Sequence, residues 1–265
     1  MRKLFAGTAS ASAPRIPDGE RVFAIGDIHG RLDLFEALMG AIEAEDEKRG
    51  PAQTTIILLG DLIDRGPASL GVLALARQWQ MERRAAGKAM HILMGNHEEM
   101  LIHSLDRIEV LRQFVQHGGR ETLISFGIDE KTYTDASWEE LHDLMQQVVT
   151  REWIDFIGTF EASLRIGDYA FVHAGIRPGV ALEEQTPADL RWIREPFLSS
   201  EQPHGSVIVH GHTIIDKPEI RRNRIGIDTG AYQSGRLTAL LLEGEEKSLL
   251  STMVHEGQIS VSFEI

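Results

Sequence analysis

The chain has 265 residues, an apolar fraction of 42%, a charged fraction of 25% and a formal net charge of −13, which fits a folded globular protein rather than a disordered or membrane-spanning one. The acidic excess argues against a broad basic surface for nucleic-acid backbones. The absence of cysteine excludes disulfides, thiolate zinc sites and cysteine nucleophiles.

The N-terminal stretch MRKLFAGTASASAPRIP has an apolar run of only residues 4–6, too short for a signal-peptide core. Residues 1–20 are therefore expected to be a flexible arm and the protein cytoplasmic, with one domain over 21–265. RVFAIGD (21–27) is an apolar strand pattern ending in Gly-Asp, and helical periodicity follows from Leu32. TTIILLGD (54–61) repeats the scheme with a helix from Ser69, and MHILMGN (90–96) repeats it again with a helix predicted over 97–114. Residues 98–160 read as a mainly helical insertion with turns at Gly118, Gly119 and Gly127. The remainder is strand-like: 163–176 with a hairpin at Gly167 and Asp168, then 206–212, 224–231, 237–244, 248–256 and 259–265. This order implies an α/β sandwich or wound sheet, with the late strands forming a second sheet on the first.

Ligands of α/β sheets bind at the carboxyl ends of strands, and here those ends carry GDIHG (26–30), GDLIDRG (60–66), GNHE (95–98), FVHAG (171–175) and VHGH (209–212). Asp27 and His29, two apart in extended chain, would face one way. Together with Asp61, Asn96, His173 and His212 they supply carboxylate, amide and imidazole donors. Such a mixture suits two divalent cations, manganese first, with iron, zinc or magnesium as alternatives. Asp61, with two oxygens, is the candidate bridge. Two cations so placed would activate a shared water for direct attack on a phosphoryl group. Arg65 and Arg194, with Asn96, are the phosphate-binding candidates, because a guanidinium fork matches phosphoryl oxygens. His97 is the candidate general acid and Asp64 its orienting partner.

The ordered set GDIHGRLDLF, GDLIDRGP, GNHEEM, FVHAGI, WIRE and VHGHT to IDTGAY resembles the calcineurin-like metallophosphoesterases, and within them the bacterial and bacteriophage serine/threonine protein phosphatases. The resemblance spans about residues 21–243 and implies a central β-sandwich of two mixed sheets flanked by helices, with two metals at one rim. It also implies Asp27, His29 and Asp61 at the first metal, and Asp61, Asn96, His173 and His212 at the second. His97 with Asp64, and Arg65 with Arg194, take the roles already given. Ile214 stands where many relatives outside the phosphatase branch have a second histidine. Asp64 and Glu98, usually missing from the related diadenosine-tetraphosphate hydrolases, favour a phosphomonoesterase of phosphorylated protein, peptide or small phosphoesters. A nucleotide-polyphosphate hydrolase is the alternative, and a catalytically inactive phosphate-binding protein a third reading. His117 is a candidate for the site border. His210 and Asp228 are read as structural or supporting residues, and Arg221, Arg222 and Arg224 as a solvated basic edge.

Overall fold

The first three strand–helix repeats form as the apolar pattern dictates. A computed structural model describes residues 13–264. In it, β1 (Glu20–Ile25), α1 (Leu32–Arg49), β2 (Gln53–Leu58), α2 (Ser69–Ala85) and β3 (Ala89–Ile92) follow in order. The three strands are parallel neighbours. Their runs are continuously apolar because both faces are buried: Val22 and Ala24 point one way, Phe23 and Ile25 the other.

The insertion folds as α3 (Asn96–Ser104), α4 (Ile108–Phe114), a π-helical turn (Val115–Gly119), α5 (Arg120–Ser125), α6 (Glu130–Asp135), α7 (Trp138–Val148) and α8 (Arg151–Ile157). The single helix expected over 97–114 is broken because Arg107 adopts an extended backbone (φ −138°, ψ 111°) ahead of α4. Leu101, Leu111, Phe114, Leu123 and Met145 pack with Phe23, Ile25 and the inner faces of α1 and α2, so the insertion shares the core of the first sheet.

A second sheet contains β4 (Leu164–Ile166), β5 (Tyr169–Phe171), β6 (Val207–His210), β7 (Glu219–Ile220) and β8 (Arg224–Gly226), in the order β4-β5-β6-β8-β7. Helix α9 (Pro187–Trp192) covers its outer face through Leu190. After α10 (Ala231–Ser234), the last strands β9 (Thr238–Glu243), β10 (Glu246–His255) and β11 (Gln258–Glu264) return to the first sheet, in the order β11-β10-β9-β1-β2-β3. The expectation that the late strands all build the second sheet is therefore corrected. The reason lies in β9, whose Leu240 and Leu242 face one core while Ala239 and Leu241 face the other. A strand apolar on both faces belongs inside a sheet, here antiparallel to β1. The result is an α/β fold of two mixed sheets packed face to face and flanked by helices.

Of the arm expected at 1–20, residues 1–12 lie outside the described part. Ile16 is fully buried between the sheets, its N–H donating to Gly244 O at 2.9 Å, so the packed chain begins before residue 20. Replacing Ile16 by alanine is expected to cost about 2–5 kcal/mol, the range for a buried large-to-small change. Chemical denaturation measures this, and an unshifted midpoint would show that Ile16 contributes no packing. No helix among the described residues is long and apolar enough to cross a membrane.

Candidate metal centre

The five strand ends converge on one rim, and the backbone that carries them there is strained. Among the described residues, six non-glycine positions have positive φ: His29 (47°), Asp61 (51°), Asp64 (72°), Arg65 (66°), His212 (61°) and Glu256 (50°). The first five belong to the candidate site. Left-handed backbone costs roughly 1–3 kcal/mol at such residues and persists where the surroundings enforce it. This corrects two sequence arguments. Asp27 and His29 are not on extended chain, since β1 ends at Ile25 and His29 is left-handed. Asn96 and His97 diverge because they begin helix α3 rather than because they alternate on a strand.

Asp61 stands at the centre. His29, Asp61 and His97 bring ligand atoms within 4.8 Å of one another, and so do Asp61, His173 and His212. Asp61 Oδ2 lies 3.6 Å from His29 Nε2 and 3.5 Å from His173 Nε2. Asn96 Oδ1 joins the second group, 2.9 Å from His173 Nε2 and 2.8 Å from His212 Nδ1. Asp27 instead turns its carboxylate to the His212 N–H, at 3.0 and 3.1 Å. Asp27 is thus in neither of these two groups, while His97, expected as the acid rather than a ligand, is in the first. Gly95 admits this crowding, since a Cβ there would overlap Asp61 Oδ1.

Hydrogen bonds fix which ring nitrogens face the centre. His29 Nδ1 donates to Ile63 O at 2.7 Å and His173 Nδ1 to Leu59 O at 2.9 Å, leaving each Nε2 lone pair directed inward. Burial, with smaller opposing or assisting charges, pushes the pKa of His29 well below its usual value, lowers that of His173 and brings that of His212 to about 3. These imidazoles are neutral donors at neutral pH, as cation ligands must be. His97 goes the other way. Burial opposes its charge, but the Asp61 carboxylate and the Asp64 hydrogen bond outweigh it and hold the pKa above the ordinary histidine value.

The carboxylates fit a cationic occupant. Burial, then Asp228 and Asp61, pushes Asp27 far above the usual carboxylate range. Asp228, beside Asp27, is pushed up to about 6, mainly by burial. Asp27 and Asp228 are thus two buried acids that the chain under-compensates, and a cation would relieve that repulsion.

Around the centre, His97 Nδ1 donates to Asp64 Oδ2 at 2.6 Å, and Asp64 Oδ1 accepts from Thr122 Oγ1 at 2.5 Å. Arg65 directs Nη1 at His29 Nε2 (3.1 Å) and Nη2 at His97 Nε2 (3.2 Å), with its guanidinium over Tyr232 at 4.9 Å. Arg194 is exposed, and its charge acts on His212 at the other end. Glu98 is fully buried and accepts from the N–H groups of Asp61, Leu62, Ile63 and Gly95, which shapes the Asp61 loop.

Other candidates fall away from the cluster. The exposed His117 side chain bonds Gln113 O, while its carbonyl accepts from Arg65 Nε at 3.4 Å. His210 does not share the face of His212, because the chain turns at His212 and His210 packs against Phe197 at 5.1 Å. Arg224 is no solvated edge: it is 2% exposed and pairs with Glu219 at 2.9 Å. Thr122, Tyr232 and Trp192 were not singled out by sequence. Thr122 follows the Gly118, Gly119 turn by three residues, which is the only local signal.

The sequence model of the family described as calcineurin-like phosphoesterase matches residues 20–237. The bis(5'-nucleosyl)-tetraphosphatase PrpE (asymmetrical) of Anoxybacillus flavithermus is 29% identical over 88% of this chain and 96% of its own length. The same-named protein of Bacillus mycoides is 27% identical over 82% and 88%. Among solved structures, a candidate diadenosine tetraphosphatase superposes with a TM-score of 0.56 at 18% identity, covering 96% of this chain and 99% of that one. A cold-active protein tyrosine phosphatase from Shewanella sp. gives 0.55 at 20%, covering 93% and 83%. At these identities the two superpositions bear on the fold alone.

Proposed function

The chain belongs to the calcineurin-like phosphoesterase family, and from that we propose that it hydrolyses the phosphate bridge of dinucleoside polyphosphates, cleaving a tetraphosphate asymmetrically into a nucleoside monophosphate and a nucleoside triphosphate. The observation that carries this is the near full-length match to relatives named for that reaction. In the sequence, Asp64 and Glu98 favour a serine/threonine protein phosphatase. Both are fully buried, Asp64 behind His97 and Glu98 beneath the Asp61 loop. Neither is exposed to a bound substrate, so neither recognises one by direct contact.

Asp27, His29, Asp61, Asn96, His173 and His212 would hold two divalent ions, with manganese first for this donor mixture. Such ions supply Lewis acidity to the phosphoryl oxygens and an activated water. Arg65, whose two Nη groups here meet His29 and His97, would turn them to the reacting phosphoryl. Asp64 holds the His97 ring by Nδ1, so that Nε2 faces the leaving oxygen and carries a proton to it.

Turnover of diadenosine tetraphosphate and of a phosphoserine peptide by manganese-loaded protein tests the substrate. The expected result is a preference of about a hundredfold or more in kcat/KM for the dinucleotide, with AMP and ATP as products. Preference for the peptide would return the protein-phosphatase reading, and two molecules of ADP would contradict asymmetric cleavage.

A further inference from the structure

Helix α9 ends at Trp192, beside the His212 end of the cluster. The indole is 38% exposed, and its centroid lies 6.4 Å from that of the His212 ring at 75°. It is not a loose surface side chain, because Trp192 Nε1 donates to Glu99 Oε2 at 2.6 Å. The second Glu99 oxygen accepts from Arg191 Nη1 at 2.5 Å. Glu99 sits on α3, one turn after Asn96, so the helix that presents the amide donor also fixes the indole. Ile193 packs into the core beneath the second sheet, and the exposed Arg194 follows it, two residues from the indole. The rim thus presents, next to one another, a held aromatic face and a guanidinium.

We propose that Trp192 is the stacking platform for a nucleobase of the substrate, with Arg194 on the phosphate next to the ribose. The ligand class is a nucleoside phosphate, and the proposal rests on the reading above. An aromatic face accepts any base, since every base has a π-face. Because the Glu99 hydrogen bond already fixes the ring, little rotamer freedom is lost on binding. The arrangement favours a nucleotide over an aryl phosphate. In phosphotyrosine the ring is bonded to the reacting phosphoryl group, which would seat it at the cluster itself. A nucleobase stands off by a ribose, which matches a platform beyond His212 with a guanidinium beside it.

Titration calorimetry on manganese-loaded wild type, Trp192→Ala and Trp192→Phe, with AMP, inorganic phosphate and phosphotyrosine as probes, tests this. Wild type is expected to bind AMP about tenfold or more tightly than inorganic phosphate. A tenfold step is 1.4 kcal/mol, within the range for one base on one aromatic ring. Trp192→Ala should bring that ratio close to one, Trp192→Phe should keep most of it, and phosphate affinity should move less than about twofold in both, which also reports intact folding. An AMP advantage that is absent from wild type, or that survives in Trp192→Ala, overturns the platform. So does phosphotyrosine binding tighter than AMP in a Trp192-dependent way. The two readings fail separately. A Trp192-dependent AMP advantage without cleavage of diadenosine tetraphosphate sinks the substrate and leaves the platform. Cleavage with a Trp192-independent advantage does the reverse.

Discussion

Changing Asp61 to asparagine is expected to deplete both metal positions together and to lower turnover on the order of a thousandfold, about 4 kcal/mol of transition-state stabilisation. Asp61 is the residue common to the two ligand groups, with His29 and His97 on one side and His173 and His212 on the other. Its carboxyl is held below the ordinary carboxylate range although burial opposes this, because the imidazoles around it, His173 and His97 first, favour its charge when they carry a proton. An amide keeps the shape and one oxygen but loses the charge and the second strong donor. Metal content measured beside kcat is the check. One ion retained at full occupancy would mean that Asp61 does not bridge.

Removing the His97 imidazole with alanine should act differently: metal content stays, and rate falls in proportion to how badly the leaving oxygen needs a proton. General acid catalysis contributes roughly 10²–10⁴-fold. A loss of that size is expected with an alkyl phosphate, whose leaving alkoxide is strongly basic. A smaller loss is expected with p-nitrophenyl phosphate or a dinucleoside tetraphosphate, whose leaving groups depart as stable anions. The Asp64 hydrogen bond at 2.6 Å and the raised pKa place His97 apart from the three histidines that burial keeps neutral. Yet its Nε2 is 3.9 Å from Asp61 Oδ2, within reach of the same centre. If metal content drops instead, His97 is a ligand and the acid must be sought elsewhere.

The candidate cluster was legible in sequence because its residues follow strands apolar on both faces, and four of the six come directly after a glycine that lets backbone crowd the centre. Gly26, Gly60, Gly95 and Gly211 stand directly before Asp27, Asp61, Asn96 and His212. The direction of each side chain was not legible, since left-handed backbone at His29, Asp61 and His212 defeats strand alternation. Thr122 escaped because its contact with Asp64 spans 58 residues and depends on how the insertion docks. Trp192 stands in the WIRE stretch, yet its own role was not legible there, because nothing local shows that Glu99, 93 residues away, holds it. Ile16 was hidden in a run rich in alanine, serine and proline, where one apolar residue has no periodicity. Placing β9 in the first sheet required knowing that both its faces are buried, whereas its apolar run alone fitted either sheet.

The most direct test of the central claim is anomalous diffraction from crystals of the manganese-loaded protein. Two peaks roughly 3.5–4 Å apart are expected, with the Asp61 carboxylate between them, Asp27 and His29 on one ion and Asn96, His173 and His212 on the other. A single peak, or two peaks that do not share Asp61, would contradict the account.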